Sequence, residues 1–600
     1  MIQVTVLDSL CKLCRRAAPP HDYFILESYS SGAFSPFDVE RRFATCPAVQ
    51  LQAARGESLS FQVLLRTTAE RTESVRITVG TLESDEGGIA AANLDWHPVG
   101  MVKCMPFNRY PAITERGLKD YAADPLLPAC EPTLHPGELL PIWVTVRTPR
   151  DTAGGLYTGS LRIESGAGQR LHVEMRLSVR EFALPENCPL VVCPTGNLVE
   201  AMKSLGRDSE DPVQIADYCG AHARMLRRYY IHGTMFRNHW IRGHRREDGE
   251  WEMDFSRFDA ALEALRAGGV TALAVFLGYE GDDKAFAPCV QGMDWPEFYR
   301  VYAEHLRRWG VLPDQGWSED FIFMIGPDEP GINQDAVRDG LVEPGLTSDN
   351  PVLREALQHQ AWAEQVGLSP HGGCLATLFD PEDVRFNWNL LQGSYQLMKF
   401  NDFRDLKTPF AERQRHLGTS LWWYTCCWPQ SPNFLLTNSL SEARLIPWIA
   451  WMIGVRGITF YGYDLWSRQK PVWSFLYPSA ESGNFGDEYK IYPHPDKDPA
   501  APLLGSMRME AYRDGLGDYT YLWLLRERCN AAEQAGDTAA AAHGRGILRE
   551  CVETIMVYGE KYEWEQGHLL QEGRTLPTAD TFRKVREELA TAIESLARFG

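Results

Sequence analysis

Two hydrophobic periods divide this chain. From about residue 24 to 186 apolar and polar positions alternate: Leu59, Phe61, Val63 and Leu65 share one face of a strand, and Leu171, Val173, Met175, Leu177 and Val179 share another. Trp143 lies in a third such run, and Gly154 and Gly155 separate two strands. Short alternating strands punctuated by turn residues predict an antiparallel β-sandwich over residues 24–186. The Pro185 to Pro189 segment marks its end.

After it the period changes, and apolar runs alternate with amphipathic helices. Runs at 191–193, 234–236, 273–277, 321–325, 373–378, 391–397, 420–424 and 457–461 predict strands. Helices are expected near 213–230, 254–267, 296–309, 352–366 and 440–453, the last opened by a capping box from Ser439 to Glu442. Eight βα units over about 290 residues predict a (β/α)8 TIM barrel at 187–480. An open doubly wound sheet is the alternative, but no glycine-rich phosphate loop supports it. Residues 481–600 are expected to hold the rest of a long loop, which runs from Pro471 to Pro502 and overhangs the barrel mouth. Helices near 505–532, 537–558 and 579–597 follow, packed on the barrel. The fold class is therefore multidomain α/β.

Composition narrows the partners. The chain has 600 residues, 44% of them hydrophobic, and a net charge of −20 from 60 basic and 80 acidic side chains. That balance argues against nucleic acid and anionic membrane as partners. In the first twenty residues Asp8 interrupts the apolar run, and Lys12, Arg15 and Arg16 follow it, the reverse of a secretory leader. With no apolar run of transmembrane length, the 14 cysteines read as reduced thiols and the cytoplasm is the expected compartment. Cys11 and Cys14 form a C-x-x-C with no second pair, and no H-E-x-x-H motif occurs, so neither metal nor cofactor is expected.

The chemistry centres on FIFMIGPDEPG, residues 321–331. A buried parallel strand ending in Asp328 and Glu329 puts two carboxylates at the carboxyl edge of a sheet, where barrels keep their active sites. An acidic pair after a strand ordinarily caps the next element; the surrounding pattern favours chemistry. Other acids expected near the mouth are Glu280, Asp380, Glu382, Asp383 and Asp464. The seventh strand, SLWWYTCCWP, ends with no carboxylate, so the usual retaining pair, acid/base plus nucleophile, lacks its second member. An adjacent Asp-Glu pair suits a different route. The substrate's 2-acetamido oxygen attacks the anomeric carbon, Asp328 orients and charge-stabilises that group, and Glu329 protonates the leaving oxygen. Burial and neighbouring negative charge would raise the Glu329 pKa, as a general acid requires.

Aromatics point the same way. Seven of the 18 tryptophans lie between positions 422 and 473. Trp448 and Trp451, three apart on a helix, read as core. Trp423, Tyr424 and Trp466 at strand ends, with Asp464, are candidates for sugar contact. Asp514 and Asp518, four apart on a helix, read as structural residues that dock the C-terminal helices.

At this point the sequence resembles a family. IGPDEPG is similar to the DEP signature of family 123 glycoside hydrolases. YRDGLGDYTYLWLL at 512–525, SMRMEAYRDG and WIAWMIGVRGITFYGYDLW resemble the related domain of unknown function 4091. SFQVLLR and PRDTAGGLYTGSLRI resemble the N-terminal β-sandwich of the same proteins, so the likeness covers nearly everything after about residue 30. It implies a β-sandwich fused to a TIM barrel and retaining, substrate-assisted hydrolysis of terminal β-N-acetylgalactosaminides. The family's catalytic pair maps onto Asp328 and Glu329, and the tyrosine that helps hold the acetamido group is placed at Tyr395. Relatives often carry Gly-Asp-Gly after strand eight, where this chain has Gly486, Asp487 and Glu488; that loop bears on substrate choice. The leading expectation is an exo-acting β-N-acetylhexosaminidase that prefers galactosamine and acts on a glycan. Two alternatives stand beside it. One is a retaining glycosidase on a non-acetamido sugar, with Asp464 or an acid after strand five as nucleophile. The other is a non-catalytic glycan-binding protein.

Overall fold

The computed structural model describes residues 1–15, 23–26, 43, 47–103, 121–310 apart from 238, 280–289 and 291, 321–327, parts of 358–376, 390–392, 422–425, most of 433–466, 486–495, 501–556, 562–565, 568–571 and 576–599. The N-terminal alternation folds into two seven-stranded sheets. The first runs Ile2–Asp8, Ser58–Thr67, Leu140–Arg147, Leu94–Lys103, Tyr121–Leu126, Lys12–Arg15, Tyr23–Leu26, every neighbour antiparallel. It therefore takes in the chain upstream of residue 24: Ile2 and Val4 are buried, and Ile2 pairs opposite Thr67. The second holds Glu73–Val79, Gly155–Ser165, Arg170–Ala183 and Ala48–Arg55 in that order. Phe61, Val63, Ile142 and Val144 of the first sheet share one core with Val173, Met175, Leu177 and Leu161 of the second. That common core is what the period-two pattern encodes. One pair departs from the antiparallel expectation. Ala48–Arg55 runs parallel to Arg170–Ala183, with Val49 opposite Met175. The two strands are separated by most of the domain, so no hairpin dictates their direction.

All eight apolar runs of the middle region carry a strand. Five form one parallel sheet in the order Val191–Thr195, Gly457–Tyr461, Trp422–Thr425, Leu390–Gln392, Leu375–Ala376. Four form another: Gly233–Arg237, Ala272–Tyr279, Phe321–Pro327, Gly372–Gly373. The fifth run is split, its first half paired in one sheet and its second in the other. Successive residues alternate between two environments. Val191, Cys193, Met235, Ala272, Ala274 and Trp422 form one small cluster. Val192, Phe236, Leu273, Val275, Trp423, Ile458 and Phe460 join the large core shared with the helices. Gly457 is required beside Trp422, because a Cβ there would stand 2.6 Å from the indole. Strands buried on both faces explain the near-continuous apolar runs.

The C-terminal helices are Met507–Gln534, Thr538–Met556 and Ala579–Ser595. The first is buried almost all round in its N-terminal half, so its polar residues are held by partners. Asp518 accepts from Arg444 Nε at 2.8 Å and Nη2 at 3.0 Å, from Trp448 Nε1 at 3.1 Å and from Arg586 Nη1 at 2.8 Å. Arg586 also pairs with Glu57 at 2.5 Å. One carboxylate thus ties the helices Leu440–Ile453, Met507–Gln534 and Ala579–Ser595 together, and through Arg586 reaches the N-terminal region. Asp518→Ala leaves the buried Arg444 guanidinium without its ion-pair partner and Arg586 with Glu57 alone, and breaking a buried pair costs about 3–5 kcal/mol. The expected result is an unfolding free energy in urea lowered by that amount, read as a lower midpoint at unchanged slope; a loss under about 1 kcal/mol would remove Asp518 from the docking role.

A second buried cluster makes a pH prediction. Burial pushes the Glu510 carboxyl up, but Arg513 and Arg228 outweigh it and hold the group down to about 2. Because the folded value is depressed, its contribution is present above the ordinary glutamate value of about 4.3 and is lost as pH falls towards 2. The shift corresponds to about 3 kcal/mol. Thermal melts from pH 6 to pH 3 should show a shallower acid loss in Glu510→Gln than in wild type; equal slopes would refute the assignment. No described helix is long and apolar enough to cross a membrane.

Candidate active site

The strand Phe321–Pro327 lies between Ala272–Tyr279 and Gly372–Gly373, parallel to both. Leu273 sits opposite Phe321 and Tyr279 opposite Pro327, so the two longer strands end level with each other. The apolar run makes the strand, and Gly326 and Pro327 close it. Asp328 and Glu329 follow at once in sequence. These two, together with Tyr395, Glu280, Asp380, Glu382 and Asp383, lie outside the described residues.

At the carboxyl end of the neighbouring sheet the geometry is described. Asp464 follows Gly457–Tyr461 and is fully buried. Its Oδ1 accepts from the Asn197 N–H at 3.3 Å, and its Oδ2 accepts from the Tyr218 hydroxyl at 3.1 Å. His222 Nδ1 lies 3.4 Å from the same Oδ2, while its Nε2 meets Thr234 Oγ1 at 3.1 Å. Gly196 is needed here, since a Cβ would stand 2.5 Å from Asp464 Oδ1. The carboxylate therefore joins the loop after strand eight to the loop after strand one and to the helix Pro212–Arg228. That helix starts where Asp211 caps the Val213 N–H and Pro212 takes the first position. Burial, then the Asp464 charge, pushes the Tyr218 hydroxyl well up, so it stays a neutral donor.

The loop Gly486 to Glu488 packs against this same edge. Gly462, at φ +97, comes within 2.5 Å of Glu488 Cα when given a Cβ, so only glycine permits the approach. Leu465 N–H donates to the Glu488 carbonyl at 3.0 Å. Lys490, buried, donates from Nζ to the carbonyls of Tyr461, Gly486 and Asp487 at 3.3, 3.0 and 2.7 Å. Gly486 to Glu488 is thus fastened to the end of strand eight.

The aromatic candidates fall in different places. Trp423 is buried on the helix-facing side of its strand, with no hydrogen-bond partner for Nε1 among the described residues, and exposes no ring face. Trp466 is fully buried and donates from Nε1 to the Ile491 carbonyl at 3.0 Å. The backbone of Tyr424 pairs with Gln392 and Thr459; its side chain lies outside the described residues. The structure brings Asp464 and Trp466 together through a 2.9 Å backbone hydrogen bond. Sequence reasoning missed Tyr218, His222 and Lys490 as partners of this edge. The available signal was two polar rings four apart on an otherwise apolar helix face.

Residues 221–525 match the model of the glycoside hydrolase 123 catalytic domain, and residues 40–165 match that of the glycoside hydrolase 123 N-terminal domain. Among solved structures, a family 123 glycoside hydrolase from Clostridium perfringens, described for glycolipid glycan hydrolysis, aligns over 100% of this chain and 98% of its own. Its TM-score is 0.66 at 13% identity, a shared fold. A Bacteroides ovatus GH5 xyloglucanase aligns at TM-score 0.28 and 10% identity over 78% of this chain and 98% of its own. A putative α-galactosidase/melibiase from Bacteroides fragilis aligns at 0.26 and 10% over 79% and 78%. No curated protein sequence matches the chain. With the catalytic-domain match alone covering half of its residues, the chain belongs to glycoside hydrolase family 123 and is a glycosidase.

Proposed function

We propose that this glycosidase removes terminal β-linked N-acetylhexosamine, N-acetylgalactosamine by preference, with retention and through an oxazolinium intermediate. The observation that carries the reading is the strand Phe321–Pro327, which runs parallel between two neighbours and ends one residue before Asp328 and Glu329, inside the matched catalytic domain. In this reading Asp328 accepts the acetamido N–H and turns the amide oxygen towards the anomeric carbon. Glu329 protonates the leaving oxygen as the amide oxygen attacks from the opposite face. Glu329 then takes a proton from water, which opens the oxazolinium and restores the β configuration. Tyr395 and Tyr424 are proposed as sugar contacts. Asp464 and Trp466 are proposed to act on the sugar through the loops they hold, with Trp423 packed behind strand seven.

The proposal includes the architecture. The two parallel sheets are taken as arcs of one (β/α)8 barrel. The break in strand five joins them on one side. On the other, a Cβ at Gly233 would stand 2.6 Å from the Val192 carbonyl, so strands one and two lie against each other. The shared core of the two seven-stranded sheets supports a β-sandwich. Barrel closure would bring the ends of strands four and eight to one mouth.

Aryl β-glycosides of N-acetylgalactosamine, N-acetylglucosamine, galactose and glucose test the reading. Release of the aryl group is expected from the two 2-acetamido sugars, faster from the galacto epimer. Comparable turnover of plain galactoside or glucoside would overturn the substrate-assisted mechanism.

A further inference from the structure

A concave site lies between the first N-terminal sheet, the helix Pro212–Arg228 and the start of the helix Met507–Gln534. It is a cleft of about 500 Å³, within the range of small-molecule sites. Arg147, Arg207, Arg224, Arg227, Arg228 and Arg513 all line it. The lining residues Asp217, Arg224 and Arg228 of Pro212–Arg228 lie on the side of that helix away from Tyr218, Cys219 and His222, which face the strands. The cleft therefore lies on the opposite side of that helix from the strands.

Six guanidiniums meet four carboxylates. Asp217 pairs with Arg207 at 2.6 Å, Asp95 with Arg147 at 2.5 Å, Glu510 with Arg228 and Arg513, and Asp514 with Arg513 at 2.9 Å. About two positive charges remain, in a chain whose net charge is −20. The two guanidiniums without a carboxylate in ion-pair contact can be named, although the Glu186 charge reaches Arg227. Arg227 donates to the Asn187 side-chain oxygen and the Glu186 carbonyl, both uncharged acceptors. Arg224 is exposed and makes no ion pair among the described residues. Donor capacity is left over deeper in as well. Arg513, only 4% exposed, has no hydrogen bond at Nε, whereas Arg228 Nη2 is taken up by Glu510 at 3.2 Å. Buried guanidinium N–H groups without acceptors are costly, and an incoming oxyanion satisfies them.

We propose that this cleft binds a sulfate or phosphate monoester. Its tetrahedral head offers several acceptor oxygens to guanidiniums arriving from three elements, which a single carboxylate cannot match. The cleft is larger than a bare ion, and Ala221, Met225, Pro502 and Leu503 supply an apolar wall for the organic body. The excess positive charge concentrates anions locally against the repulsion of the rest of the surface.

Isothermal titration of the full chain at low ionic strength tests this with glucose 6-phosphate, N-acetylgalactosamine 6-sulfate, inorganic phosphate and inorganic sulfate. Binding is expected, weakening as salt rises. Arg224→Glu, at an exposed position where folding is not at risk, should weaken it by about tenfold to a hundredfold, as loss of a charged hydrogen bond does. Arg300→Ala, an exposed arginine on another helix, should leave it unchanged. An ester that binds more tightly than its parent ion assigns the site to an organic ester, and equal affinities assign it to the free anion. Absence of binding by all four at millimolar concentration, or binding equal in wild type and Arg224→Glu, overturns the proposal.

Discussion

Glu329→Gln is expected to lower kcat/KM on unactivated glycosides by about 10² to 10⁴-fold, the range for loss of a general acid. The amide keeps the shape of the side chain and removes its proton, so substrate binding should persist. The loss should shrink on substrates whose leaving group needs no protonation, such as dinitrophenyl glycosides, because the acid then contributes little to the first step. Its role as base in the second step remains, and the slow step should shift to breakdown of the intermediate. Stopped-flow release of the aryl alcohol reads this as a burst. A loss well under tenfold on a poor leaving group would exclude Glu329 as the acid. It would also move attention to the acids after strands three and five.

How far this site can be read from the linear sequence depends on which kind of signal each residue leaves. The strand before Asp328 is legible because a short apolar run bounded by glycine and proline has few other ways to fold, and the structure ends it at Pro327. Strands one, two, three and eight are legible for the same reason. The direction in which a side chain leaves a strand is less so. Trp422 and Trp423 are adjacent, so one must face each way, and nothing local says which; the small cluster takes Trp422 and the helices take Trp423. Asp464 follows a strand as a mouth residue would, yet its carboxylate turns to Tyr218 and Asn197. Partners far apart in the chain leave no periodic trace at all. Ser60 meets Glu510 at 3.1 Å, and Lys12 donates to the Leu436 carbonyl at 3.1 Å. Asp8 and the basic residues after it argue against a leader at Ile2–Asp8 without showing what the segment is; its buried positions are those of a strand paired along Ser58–Thr67.

Asp328→Asn separates the mechanisms that Glu329 alone cannot. If the acetamido oxygen is the nucleophile, a positive charge develops on the oxazolinium as the glycosidic bond breaks, and Asp328 must meet it. That charge belongs to the transition state, so the substitution should act on kcat more than on KM. A loss of about 10² to 10³-fold is expected, as for other preorganised electrostatic groups. A thiazoline analogue of the bicyclic intermediate should bind the wild type tightly and the Asn variant poorly, because it presents the cation-like ring to whatever stands at position 328. If an enzyme carboxylate were the nucleophile instead, the thiazoline would have no special affinity, and a 2-fluoro sugar would trap a covalent glycosyl-enzyme. The buried Asp464 carboxylate, with both oxygens engaged by Asn197 and Tyr218, is poorly placed for that attack. A covalent adduct on any carboxylate would nevertheless overturn the substrate-assisted reading and transfer the nucleophile to the residue that carries it.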